Sequence, residues 1–458
     1  MAVSAAHIGA DAGVAYTGAN LLSVYSSRTK IDSSRTSESL ADMAQGPATT
    51  ERTEAAGSVA DFQLVVGRIV QHQGHARDVE DMLVAQLRLN VTWVEITNET
   101  AADCCDLLVC VMPASRCLEF RSSSTPMVLH FHNRLGREVA RYQDASIKDP
   151  SFPTKVVAAV AQLREALGSA RNLIFVDNVF DHAFMRYTAG VTVSLGTTLC
   201  GHAAREATYA PVEQRFVIGP HRMCYAHYGL IRELFAANAR RDEPLLFEVI
   251  RLSVELSNYK LGRLAQFMGA VMLPINVNTI IFKELYSMAV PLFYPHPRLL
   301  AAWEVAHSVM LELFPQTRLN DYSLLDGGVS ASHDPPSVRA AMLHSPFNRS
   351  VEALGSWFAL SEFVTTPHVH LFTSWSHLLH LLQSTDLFAA SAAMAAHNRQ
   401  RRSDATGQWS TFILRSVIGP AHERHRRSAG AADAEEDPSH IVEWRGRRFR
   451  GSGHLIEG

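Results

Sequence analysis

Apolar side chains recur along this chain in two periods that take turns. Short runs that are apolar at nearly every position, such as Leu107-Leu-Val-Cys-Val111 and Met127-Val-Leu-His-Phe131, have the character of strands buried on both faces. Between such runs lie stretches with helical spacing. Residues 76–89, with Val79, Met82, Leu83 and Leu87 on one stripe, predict an amphipathic helix.

The pattern predicts strands over 62–70, 92–96, 106–112, 127–132, 172–176 and 192–194, and further helices over 156–167 and 178–187. After Ala210-Pro211 the rhythm starts again, with strand 214–218, helix 230–239 and strand 245–250. Residues 273–295 then read as the end of a strand, a turn, a short helix and a buried strand. Residues 315–344, rich in Pro, Gly and Asp, predict an irregular insertion. Strand 369–372 and helices 375–383 and 386–398 follow, and a helix near 408–417 is expected to cross back onto the first half. Alternation of this kind predicts an α/β protein with two Rossmann-like domains, 61–205 and 206–418, facing each other across a cleft. Residues 1–60, rich in small and hydroxyl side chains without a period, predict a disordered or leader segment. Residues 419–458, where basic clusters flank Glu435, Glu436 and Asp437, predict a charged disordered tail.

Composition narrows the classes. A chain of 458 residues, 47% hydrophobic and 19% charged, has room for two cores and the balance of an ordinary soluble protein. A formal net charge of −3 gives no reason to expect nucleic acid or an anionic membrane as partner. The longest uncharged run, 264–282, is broken by Gln266, Pro274, Asn276 and Asn278, so no membrane span is expected. The six cysteines form no CxxC pair and read as small buried residues rather than a disulfide scaffold or a zinc or redox site. N-x-S/T triplets begin at Asn90, Asn98 and Asn348 and matter only in a secretory lumen; cytoplasm and lumen both stay open.

Several chemistries lack their signatures. No G-x-G-x-x-G follows a strand, and there is no phosphate loop of the G-x-x-x-x-G-K type, no H-E-x-x-H and no G-x-S-x-G. Candidates come instead from the carboxyl ends of strands, where parallel sheets bind ligands. Met127-Val-Leu-His-Phe-His-Asn-Arg-Leu-Gly-Arg137 delivers His132, Arg134 and Arg137 to such a rim. His132 suits a general base on an acceptor hydroxyl, and the arginines suit a phosphate or sugar carboxylate; a hydrogen-bonded rim histidine with solvated arginines is the plainer alternative. Arg215-Phe-Val-Ile-Gly-Pro-His-Arg222 brings Arg222 to the opening of the second half. The turn 71–75 precedes a helix and offers His72 or His75 to an acceptor, or two ordinary surface histidines. His377 and His380 stand three apart on a helix without a thiolate or carboxylate at ligand spacing, so no metal is expected.

One segment is more specific. In Leu273-Pro-Ile-Asn-Val-Asn-Thr-Ile-Ile-Phe-Lys-Glu-Leu-Tyr-Ser-Met-Ala-Val-Pro291, Glu284 stands seven residues before Pro291, which opens the next apolar run. Ile280, Ile281, Ser287 and Met288 lie three and four residues away and put the carboxylate beside an apolar face. A carboxylate so placed needs a donor, either a neighbouring side chain or a ligand hydroxyl; a solvated helix glutamate is the bland alternative.

This segment resembles the second domain of glycosyltransferases with two Rossmann domains (GT-B type). Dispersed similarity to a GT-B-like family of algae and other protists extends over about 70–415. It runs through 74–83, 106–115, His132-Asn-Arg-Leu-Gly-Arg137, 179–187, Phe216-Val-Ile-Gly-Pro-His-Arg222, 273–295, 367–375 and 394–398. The resemblance implies a UDP- or GDP-linked sugar as co-substrate, held mainly by the second domain, and a glycan or other hydroxyl acceptor facing the first. Glu284 would accept the ribose hydroxyls, Arg222 would face the diphosphate, and Asn278 and Thr279 would offer donors to the phosphates. Asn276 stands near the donor sugar, where retaining members often carry an acid eight residues before the ribose glutamate. That departure leaves retention, inversion or loss of catalysis open. The expected activity is metal-independent glycosyl transfer, with His132 as base. A nucleotide-sugar epimerase or hydrolase, or a non-catalytic nucleotide- or glycan-binding protein on the same frame, are the rivals.

Overall fold

Leu107, Val109 and Val111 enter one apolar core while Leu108 and Cys110, between them, enter another. A strand buried on both faces must sit inside a sheet covered on both sides, and that is the arrangement found. The computed structural model describes residues 63–70, 73–96, 102–103, 105–111, 114–121, 123–131, 151–197, 199–221, 225–251, 261–310 and 334–420, and short strands between 441 and 456. The expected segment 1–60 lies outside them.

The first sheet is built from β1 (Gln63–Val70), β2 (Asn90–Glu95), β3 (Leu107–Val111), β4 (Met127–Phe131), β5 (Leu173–Val176) and β6 (Ser194–Leu195). The same half carries α1 (Gln73–Glu80), which continues as a π-helical turn over Asp81–Gln86, then α2 (Phe152–Leu167), α3 (Val179–Ala189) and α4 (Gly201–Glu206), with Phe180 and Ala183 of α3 and Ala203 of α4 buried in the core of the second sheet. The second sheet is built from β7 (Phe216–His221), β8 (Phe247–Arg251), β9 (Gly269–Val271), β10 (Leu292–Pro295) and β11 (His370–Phe372). Its helices are α5 (Tyr225–Asn238), α6 (Leu261–Leu264), α7 (Ile280–Ser287), α8 (Pro297–His307), α9 (Pro336–Met342), α10 (Val351–Phe358), α11 (Glu362–Thr365) and α12 (Trp375–Ser384). Helix α13 (Leu387–Ile413) follows.

Strand order is β2-β1-β3-β4-β5-β6 in the first sheet and β8-β7-β9-β10-β11 in the second, and every ladder in both is parallel. Each order turns back at its first strand, the Rossmann-like reversal that opens a crevice at the carboxyl ends of the strands. Both sheets belong to one compact unit, residues 57–458.

Helix α13 joins the two cores. Leu387 and Met394 enter the core of the second sheet, while Ala405, Trp409, Phe412 and Ile413 enter the core on one face of the first. The expected separate helices 386–398 and 408–417 are thus one continuous element of 27 residues. The polar stretch Arg399-Gln-Arg-Arg-Ser-Asp404 between its two apolar ends contains good helix formers and no proline, so nothing breaks it.

Three expectations are corrected. Within the stretch read as irregular, residues 336–342 form α9, opened by a proline at its first turn, where the missing N–H costs nothing. Residues 311–333 lie outside the described ones. Cys110 and Cys117 are disulfide-bonded, with Cα atoms 5.8 Å apart, because the 3₁₀ helix Ala114–Phe120 folds back over β3; Cys105 and Cys200 are buried, as expected. In the stretch read as a tail, β12 (Ile441–Trp444), β13 (Arg447–Arg450) and β14 (Leu455–Ile456) pair as an antiparallel sheet. Trp444 of β12 stands opposite Arg447 of β13, and the charge of the segment conceals this pairing.

Candidate functional site

The carboxyl ends of β4 and β5 meet the loop 272–279 that leads from β9 into α7. On β4, His130 is buried and its ring lies 4.2 Å from that of Phe175 on β5, its neighbour in register. Asp177 follows β5 directly and its side chain is 1% exposed. One of its oxygens pairs with His130 Nε2 and the other accepts from Lys283 Nζ on α7. Asn178 caps α3: its Oδ1 accepts from the Asp181 N–H at 2.8 Å while its Nδ2 donates to Asp181 Oδ2 at 2.7 Å. Asn278, from the second half, donates to the same oxygen at 3.0 Å.

Glu362 completes this inner cluster from α11. Its N–H donates to the Val277 carbonyl at 3.2 Å, and its Oε2 stands 3.7 Å from Lys283 Nζ without a hydrogen bond. Two carboxylates therefore share one buried ammonium, and Lys283 gives its hydrogen bond to Asp177. Burial works against the Lys283 charge, but Asp177 and Glu362 together hold the ammonium above its ordinary pKa. Glu362 has the weaker share. Burial pushes its carboxyl up to about 7, opposed by Lys283 and Arg401 and reinforced by Asp177 and Asp181. Burial likewise raises Asp78 on α1, against the pull of His130 and of the Cys200 N–H, which donates to its Oδ1 at 2.5 Å.

Glu284 sits at the rim of this cluster with 13% of its side chain exposed. As the spacing predicts, it lies on a short helix that ends before Pro291 and β10, beside buried Ile281 and Met288. Its Oε1 is 3.2 Å from Nε2 of His202, on α4 of the first half. His202 Nδ1 is buried and has no hydrogen-bond partner. The backbone reaches this position through Cys200, held in the left-handed region at φ 46°, whose thiol burial pushes well above its ordinary pKa. Glu284 is thus neither a solvated helix residue nor a fully enclosed one.

The other expected residues are distributed as follows. Asn276 is buried and its Oδ1 accepts from the Val277 N–H at 2.9 Å. Asn278 is buried with its amide directed to Asp181, and Thr279 precedes α7 with a buried hydroxyl that has no partner. All three stand in the loop that leads into the helix of Glu284. The backbone of His75 lies on α1, but its side chain is outside the described residues, as are His132, Arg134, Arg137 and Arg222. Among the described residues there is no group of three or more side chains fit to hold a metal ion.

Sequence reasoning passed over His130, Asp177, His202, Lys283 and Glu362. Two of these carried a signal: His130 is the lone polar residue of an apolar strand, and Asp177 directly follows one. Beside Glu284, Lys283 shares a helical stripe with Ile280, but it reads as a solvated lysine until Asp177 is brought against it. Comparison of the chain with family profiles, with the sequences of characterised proteins and with solved structures finds no match.

Proposed function

We propose that the chain is a glycosyltransferase that moves a sugar from a UDP- or GDP-linked donor to a hydroxyl acceptor such as a glycan, its two Rossmann-like halves facing each other across a cleft. The observation that carries this reading is the position of Glu284. Its helix leads from the carboxyl end of β9, it meets the first half through His202, and its Oε2 takes no hydrogen bond among the described residues. A carboxylate oxygen left open beside an apolar face suits a vicinal diol, and a ribose supplies one. Thr279, whose hydroxyl has no partner at the start of the same helix, suits a donor phosphate. In this reading Asn276 and Asn278 line the approach to the donor, Arg222 faces the diphosphate, and Arg134, Arg137 and His75 meet the acceptor. No metal is required if protein cations stabilise the departing diphosphate.

The test is calorimetric titration with uridine and guanosine diphosphate sugars. Glu284→Ala is expected to weaken binding at least tenfold, from loss of a charge-assisted contact of roughly 1.5–3 kcal/mol. Equal affinity of native and variant proteins overturns the assignment. A second reading, a sugar-nucleotide-binding protein without turnover, is favoured by Asn276, an amide already engaged by its own chain. Binding without product across a broad acceptor panel selects it. Sugar released or epimerised from donor alone selects a hydrolase or epimerase.

A further inference from the structure

Helix α4 carries a histidine that no motif announces. His202 is 8% exposed, its Nε2 faces the Glu284 carboxylate, and its Nδ1 is enclosed without a partner. A buried ring nitrogen left bare costs free energy, and native structures keep such atoms where chemistry uses them or where a ligand completes them. An ionised carboxylate only accepts, so the shared proton sits on Nε2 and the lone pair on Nδ1. One nitrogen held by a carboxylate and the other bare is the arrangement in which an imidazole takes a proton and the carboxylate stabilises the resulting cation.

We propose that His202, oriented by Glu284, is the base that deprotonates the acceptor hydroxyl. This rests on the transferase reading and differs from it in assigning the base to the junction of the two halves rather than to the rim of β4. The acceptor O–H gives its proton to Nδ1 as its oxygen forms a bond to the anomeric carbon. The bond from that carbon to the diphosphate oxygen breaks, and its electron pair leaves on the diphosphate. Glu284 would then serve twice, with Oε1 on the imidazole and Oε2 toward the donor. Among the charged and titratable groups near the dyad, Asp78 from α1 interacts with His202, and the Cys200 thiol at the start of α4 has Asp78, Glu284, Lys283 and Glu362 around it.

The experiment uses the full chain and measures nucleoside diphosphate released from uridine and guanosine diphosphate sugars with a panel of glycan acceptors. His202→Gln is expected to lower kcat by roughly 10²–10⁴-fold and to abolish the acidic limb of the kcat–pH profile. The donor KM and the affinity for bare uridine diphosphate should stay within about threefold of native, since a base acts on the chemical step. A kcat within about threefold of native, or a loss that follows uridine diphosphate affinity, overturns the proposal and leaves the transferase reading standing. Absence of turnover by the native protein on every donor removes both. Should the variant fail to fold, nitrogen-15 histidine spectra of the native protein decide: Nε2–H with bare Nδ1 near neutral pH supports the assignment, and an Nδ1–H tautomer refutes it.

Discussion

Glu362 offers the sharpest test of the inner cluster. Its carboxyl is held at about 7 in the folded chain against an ordinary 4.5, because burial outweighs what Lys283 and Arg401 return. A raised folded pKa contributes stability that is fully present below the unfolded value and is lost as the pH climbs through the folded one. The window therefore runs from about pH 4.5 to about pH 7. Each unit of pKa difference corresponds to about 1.4 kcal/mol, so the native protein should lose about 3 kcal/mol across it from this group alone. Glu362→Gln keeps the shape and stays neutral at every pH, so this part of the slope disappears. Urea titrations of native and variant proteins at several values from about pH 5 to about pH 8 measure the difference in unfolding free energy. The variant should gain on the native protein as the pH rises, by about 3 kcal/mol in all, and be close to it near pH 5. Parallel curves, or a variant that loses ground above pH 7, would refute the reasoning, because either means that Lys283 compensates the Glu362 charge in full.

Two further predictions concern the junction of the halves. Lys283→Met leaves Asp177 and Glu362 buried without their ammonium and should cost about 3–5 kcal/mol in urea unfolding, with Asp177→Asn in the same chain recovering part of the loss. Trp409→Ala removes a side chain that is 3% exposed and meets Phe175 edge-on at 6.2 Å. It should cost about 3–5 kcal/mol and open the 399–404 stretch of α13 to limited proteolysis, which an unchanged cleavage pattern would contradict.

Much of the fold was legible because its period is local. Apolar runs located the buried strands, and the second start near residue 214 marked the second sheet. Glu284 was legible for a similar reason: its distance to Pro291 is a helix followed by a strand entry, and both are short-range facts. What stayed hidden depends on pairing across long separations. Lys283 and Asp177 are 106 residues apart, and His202 and Glu284 are 82 apart. A lysine beside a glutamate reads as a solvated pair until another strand end delivers a carboxylate to it. Boundaries failed where charge concealed periodicity. The polar middle of α13 reads as a break between two helices, and the arginines of β13 read as a tail.

The return of α13 has a consequence for the order in which the protein can be made. Leu64, Val66, Leu107 and Val109 share a core with Trp409 and Ile413, so part of one face of the first sheet is covered by residues roughly 300 positions downstream. During vectorial synthesis those strands leave the ribosome long before their lid exists, and they must wait, exposed and open to self-association, until nearly all of residues 57–420 have emerged. A chain truncated before residue 405 should keep its second sheet and yet be prone to aggregate through its first.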